Sequence, residues 1–112
     1  MRQFLEELMA STKVWIKIHR SKTGEVVVAI CDENLLGKKL KVNDTFSVEV
    51  SRAFYGGFLV RCDDIDKYLE QAGIVNVLGE SITSYLIRKG LVSEGAVMRI
   101  GEVPHVQLFL KI

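Results

Sequence analysis

Ile74-Val75-Asn76-Val77-Leu78-Gly79-Glu80-Ser81-Ile82-Thr83-Ser84-Tyr85-Leu86-Ile87-Arg88-Lys89-Gly90 reads as a strand that passes through one glycine straight into a helix. The first five residues are apolar with a single polar interruption, too short for a helix and rich enough in β-branched residues for a strand. From Glu80 to Lys89 the period becomes helical, with Ile82, Tyr85 and Leu86 on one stripe and Gly90 placed to end it. On the upstream side, Asp63 or Asp64 starts a helix through Ile65, Tyr68, Leu69 and Ala72, and Gly73 closes it.

Strand patterns flank this αβα centre on both sides. Val14, Ile16 and Ile18 alternate with Trp15, Lys17 and His19, the polar segment Arg20 to Gly24 follows, and Glu25 to Ile30 is a nearly continuous apolar run. That is a β-hairpin whose second strand is buried on both faces. Asp32 can cap one turn, Glu33-Asn34-Leu35-Leu36, that Gly37 terminates, and Lys38-Lys39-Leu40-Lys41 leads out of it. Thr45 to Val50 restores strand alternation, and Ala53 to Phe58 reads as a loop flanked by aromatics. Downstream, Val97 to Ile100, a turn over Gly101 to Pro104, and Val106 to Leu110 form an antiparallel pair. Phe4, Leu5, Leu8 and Met9 recur at helical spacing, so residues 1–12 are an N-terminal helical extension and residues 13–112 one domain. The expected class is α+β: a mixed or antiparallel sheet with two main helices plus the short N-terminal one.

Composition agrees with a folded domain: of 112 residues, 48% are hydrophobic and 26% charged. Cys31 and Cys62 lie far apart without a CxxC motif, and are expected reduced and buried, as in a cytoplasmic protein. No apolar run reaches the roughly 18 residues of a membrane span. Glu6 and Glu7 interrupt the start, where a signal peptide would be apolar, so neither export nor insertion is expected. The net charge is only +1, but residues 1–41 hold eight Lys/Arg against five Asp/Glu, and residues 42–80 three against seven. Polyanion binding would therefore have to be local.

Four features carry chemistry. At Asn76-Val77-Leu78-Gly79-Glu80-Ser81 the first amides of a helix could hold a phosphate, with Ser81 adding a hydroxyl and Asn76 an amide; ordinary capping explains the same residues. In Phe54-Tyr55-Gly56-Gly57-Phe58, Phe54 and Phe58 are expected in the core and Tyr55 exposed, where its ring could stack on a base. His105 follows the only proline, Pro104, whose fixed φ gives it a defined orientation for acid/base work or for a structural hydrogen bond. With one other histidine in the chain and no ligand spacing, neither a metal site nor a cofactor is expected. Lys38, Lys39 and Lys41, supported by Lys13, Lys17, Arg20 and Lys22 from the first hairpin, suit an RNA backbone, although lysines on an edge strand also guard against aggregation.

One ordered set of short motifs is more specific than any of these. Gly24-Glu25-Val26-Val27, Ile30-Cys31-Asp32-Glu33, Leu36-Gly37-Lys38, Phe54-Tyr55-Gly56-Gly57, Asn76-Val77-Leu78-Gly79-Glu80, Lys89-Gly90-Leu91 and Val103-Pro104-His105 together resemble the archaeal domain-of-unknown-function family numbered 424, over roughly residues 13–107. The resemblance implies a small single-domain cytoplasmic protein of archaea, with no established activity and a suspected role near RNA or translation. Two departures are the added helix of residues 1–12 and the bulk of Tyr85-Leu86.

The leading expectation is an RNA- or ribonucleoprotein-binding module. Lys38, Lys39, Lys41 and Arg20 would contact phosphates, Tyr55 would stack, and the Pro104-His105 turn would supply polar recognition. An alternative is an enzyme or sensor for a small phosphorylated or nucleotide ligand. It would draw on Asn76, Gly79, Glu80, Ser81, Tyr55 and Gly56, with His105 as acid/base. A third is an interaction subunit docking through the N-terminal helix. Neither DNA nor membrane is an expected partner.

Overall fold

In the structure, a computed structural model that describes residues 2–110 (for Arg2, Leu5 and Glu6, the backbone alone), the alternating segments become strands, most of them in one sheet. After α1 (Arg2–Ser11), β1 (Lys13–Arg20) turns back into β2 (Val26–Asp32). A separate hairpin, β3 (Lys39–Asn43) and β4 (Phe46–Glu49), precedes the short α2 (Arg52–Tyr55) and β5 (Phe58–Arg61). Then come α3 (Asp66–Leu69), β6 (Ile74–Leu78), α4 (Glu80–Arg88), β7 (Met98–Ile100) and β8 (Val103–Phe109). The six-stranded sheet runs β5-β1-β2-β6-β8-β7. Only β2 and β6 are parallel, which requires the long connection between them; every other neighbour is antiparallel.

The sheet separates two cores. Val14, Ile16, Val28, Ile30, Val75, Val77 and Val106 face α4, whose Ile82, Tyr85 and Leu86 complete the larger one. Met9 and Ala10 of α1 pack on its rim. The opposite face buries Ala29, Cys31 and Leu78 beneath Leu40, Val50 and Tyr55 of the β3–β4 hairpin and α2. Because strand side chains alternate, β2 serves both cores, hence its almost unbroken apolar sequence. Among the described residues, no helix is long and apolar enough to cross a membrane.

Several elements differ from the expectation. The helix expected from Asp63 or Asp64 to Ala72 is a 3-10 turn (Cys62–Asp64) followed by the single turn α3, since Ile65 and Ala72 alone give it a fully buried stripe. The expected aromatic loop contains α2, capped by Ser51, whose hydroxyl accepts from the Phe54 N–H at 3.1 Å. Asp32 makes no side-chain cap on the 3-10 turn Glu33–Leu35. The lysine run is in part a strand, β3. Pro104 lies inside β8, and the reversal needs only Gly101 and Glu102. Gly101 has a φ of +60° and sits where a Cβ would come 2.3 Å from the Lys41 carbonyl oxygen. Glycine there satisfies both the turn and the approach of β3. Met1 and residues 111–112, the ends of the expected extension and domain, lie outside the described residues.

Candidate functional site

The strand-to-helix junction already holds an anion of the protein's own. Asp32, at the end of β2, is 7% exposed, and its carboxylate accepts the amide N–H of Ser81 at 2.8 Å and of Ile82 at 2.9 Å. A carboxylate at a helix N-terminus meets the unsatisfied amides and the positive end of the helix dipole. Burial raises the Asp32 carboxyl above its ordinary value, while the two amide bonds pull against that shift. Gly79 makes the approach possible. Its φ is +130°, and a Cβ there would stand 2.3 Å from the Asp32 carboxyl carbon. Of the amides considered for phosphate, that of Ser81 is thus held by Asp32 on the α4 side of the sheet, and that of Gly79 donates to the Pro104 carbonyl at 2.9 Å.

The other face is partly open, and its chemistry falls into rows set by strand register. Trp15, Cys31, Leu78 and His105 lie side by side across β1, β2, β6 and β8. Lys17, Ala29, Asn76 and Gln107 form the next row, and His19, Val27, Ile74 and Phe109 the one after. The hairpin and α2 cover the first row and the Ala29 end of the second. Beyond them the face emerges: Lys17, His19, Val27, Ile74 and Asn76 are half-buried, and Gln107 and Phe109 exposed.

Two contacts from α2 organise this boundary. The Tyr55 hydroxyl donates to Asn76 Oδ1 at 2.5 Å, so the Asn76 amide nitrogen keeps two N–H donors with no protein partner among the described residues. Burial pushes the Tyr55 hydroxyl well above its ordinary range, with the nearby Cys31 adding to the shift, so it remains a neutral donor. His19 stacks on Phe54 with ring centroids 4.9 Å apart, and its Nε2 lies 2.8 Å from the Phe54 carbonyl oxygen. Neighbouring strands stand about 4.8 Å apart, so Asn76 and Gln107 present two adjacent side-chain amides. In register on this face, the sheet strands contribute the charges Lys13, Lys17 and Arg61 and no acid; Asp63 holds the Arg61 guanidinium through two bonds of 2.8 and 3.0 Å.

Several candidate residues land elsewhere than expected. Tyr55 is 7% exposed, not solvent-facing, so its ring cannot stack on an incoming base, while Phe58, expected in the core, is 41% exposed. Arg20 points to the α4 face, bonding the Gln71 side chain at 3.0 Å, whereas Lys39 and Lys41 ride on the hairpin over the opposite face. They do not form one basic patch, and Lys41 faces Asp44 at 3.7 Å. Gly56 ends α2, its N–H bonded to the Arg52 carbonyl at 2.8 Å. His105 lies beside Leu78 and Met98, and burial lowers its pKa, so it is a neutral imidazole at neutral pH. Asp32, Gly79, Glu80 and Ser81 belong to the other side of the sheet. The acid/base candidate and the proposed phosphate cradle therefore do not converge. Cys31 and Cys62 belong to different cores, each free and pushed up to about 12 by burial.

Gln107 and Phe109 were not singled out from sequence as site residues, and Lys17 only as one of the bases supporting the lysine run. Their only signal there is strand alternation, which places residues on a face without saying whether that face is covered.

The family model described as "Protein of unknown function (DUF424)" matches residues 19–110, so α1 lies outside the match. No curated protein matches the chain. Among solved structures, the chain is similar to one described as "Crystal structure of an uncharacterized conserved protein from Methanopyrus kandleri". The two are 33% identical over 87% of this chain and 90% of that one, with a TM-score of 0.73.

Proposed function

The chain belongs to the DUF424 family of proteins of unknown function, and on that premise we propose that it is a module binding single-stranded RNA through the open half of its sheet. The observation that carries the proposal is the register of two adjacent rows, Lys17–Ala29–Asn76–Gln107 and His19–Val27–Ile74–Phe109, which emerge from beneath α2 on a partly open sheet face. Unpaired bases need a flat apolar surface with an aromatic ring to stack on, and polar groups beside it to meet their edges. Here Phe109, which is 62% exposed, takes the stacking role first expected of Tyr55. The Asn76 and Gln107 amides supply donors and acceptors for base edges, and Lys17 supplies a cation for the backbone. Tyr55, from α2 on the same face, holds the Asn76 carbonyl oxygen and leaves its N–H groups available to a ligand.

The test is chemical-shift mapping of the folded protein with an unstructured RNA oligonucleotide. Perturbed amides are expected to cluster at Lys17, His19, Asn76, Gln107 and Phe109. Perturbation confined to α4 and the Asp32 junction, or none at all, would reject the reading.

A further inference from the structure

One cleft on the α4 side of the sheet is walled by the helix that lies outside the family match. Met9 and Ala10 of α1 turn inward there, while Phe4 and Leu8 stay exposed. With Asp63, Tyr85, Arg88 and Lys89 they line a half-open space of about 260 Å³.

Helix geometry sets the polar side of this cleft. Tyr85, Arg88 and Lys89 stand at i, i+3 and i+4, so both cations lie one turn beyond the tyrosine on a single face of α4. The Lys89 Nζ is 5.9 Å from the Tyr85 ring centroid. Tyr85 is only 7% exposed, yet its hydroxyl has no hydrogen-bond partner among the described residues. A phenol that deep in a fold ordinarily finds one. Burial first, and then the nearby Asp66, raise its pKa above the ordinary value, so the hydroxyl stays a neutral donor. Arg88 and Lys89 make no ion pair among the described residues. Asp63, the one acid of the described lining, is held by Arg61 through two bonds of 2.8 and 3.0 Å. The groups left free are a phenol O–H, a guanidinium and an ammonium, all of them able to donate, beside an apolar wall.

We infer that this cleft binds a small monocarboxylic acid with an apolar body. Its carboxylate accepts from the Tyr85 hydroxyl, Arg88 and Lys89, and its body lies on Met9, Ala10 and the Tyr85 ring. The guanidinium fork matches a carboxylate in shape, and the flexible methionine adapts to the body's outline. Charge decides against a phosphate: two cations beside one paired acid suit a single negative charge, a dianion would be repelled by Asp63, and the apolar wall would have nothing to cover. The space has room for a molecule of benzoate's size. The cleft lies on the opposite face from the open rows, so the inference does not depend on the RNA reading.

The test is an NMR titration of the full chain with sodium benzoate and, separately, sodium octanoate, at constant ionic strength. Saturable shifts are expected at Met9, Ala10, Tyr85, Arg88 and Lys89, with a Kd of about 1 mM or tighter for at least one of the two acids. Benzamide, the aromatic body without the charge, should bind at least about tenfold more weakly than benzoate, and inorganic phosphate should leave these signals in place. Tyr85→Phe keeps the ring in the core and removes only the hydroxyl, and Arg88→Gln changes an exposed side chain. Each folded variant should weaken carboxylate binding at least about threefold. No saturable shift with either acid up to about 10 mM, equal binding of benzamide or phosphate, or wild-type affinity in both variants overturns the inference.

Discussion

Replacing Asp32 by Ala should weaken the fold by about 2–3 kcal/mol. The carboxylate is the partner of two amides, those of Ser81 and Ile82, at 2.8 and 2.9 Å. The two losses are unequal, because Ser81 is exposed and Ile82 fully buried. Water can reach the first amide, so that loss falls near the lower end of a helix cap, about 0.5–1 kcal/mol. The second N–H remains in the core without a partner, at a cost of about 1–3 kcal/mol. Removing a buried carboxylate returns part of its desolvation, which keeps the total near the middle of the summed range. For a domain of this size the expected fall in Tm is roughly 10 °C. The assay is urea denaturation followed by far-UV circular dichroism, with Asp32→Asn as companion. The Asn carbonyl oxygen can keep one of the two bonds, so its loss should be about half that of Asp32→Ala. Loss below about 0.5 kcal/mol for Asp32→Ala would refute the reasoning, as would a larger loss for Asn than for Ala.

Three other outcomes follow. The folded-state pKa of Asp32 is raised above its unfolded value, so the folded protein binds more protons in the window just above the ordinary carboxylate range. There the stability of the wild type, relative to Asp32→Asn, should fall as pH rises; denaturation of both proteins between about pH 4 and 7 measures it. Gly79→Ala combines a disfavoured φ with a Cβ 2.3 Å from the Asp32 carboxyl carbon, and should cost at least about 2 kcal/mol by the same denaturation assay. Cys31 and Cys62, buried and pushed up to about 12, should resist a thiol reagent at neutral pH in the native state and both react once urea unfolds the chain.

Local pattern sufficed where one face of a segment decides its structure. The alternation in β1, the apolar run of β2, and the passage from Ile74 through Gly79 to the Ile82-Tyr85-Leu86 stripe all stand in the fold as the residues imply. It failed for Cys62–Leu69, where helical spacing is too short-lived to sustain more than single turns. The site was less legible, because its membership depends on contacts distant in sequence. Asp32 finds its amides 49 and 50 residues away, and Tyr55 reaches Asn76 across 21. One residue of parity puts Arg20 on the α4 face while Lys17 and His19 take the other. Neither His105 nor Asp32 could be assigned to a side of the sheet before the strand order was known. Whether Phe109 is covered depends on where α2 and the hairpin stop, which no local period encodes.

The central claim is that the open rows of the sheet bind single-stranded RNA, and equilibrium anisotropy with a labelled, unstructured RNA measures it most directly. The wild type should bind, with affinity falling as salt rises at a slope of about 0.7 per phosphate contacted. Phe109→Ala should weaken binding about tenfold or more, and Asn76→Ala should also weaken it, with Leu110→Glu as a control on the other face. No binding by the folded wild type, or equal binding by the wild type, Phe109→Ala and Asn76→Ala, would contradict the claim.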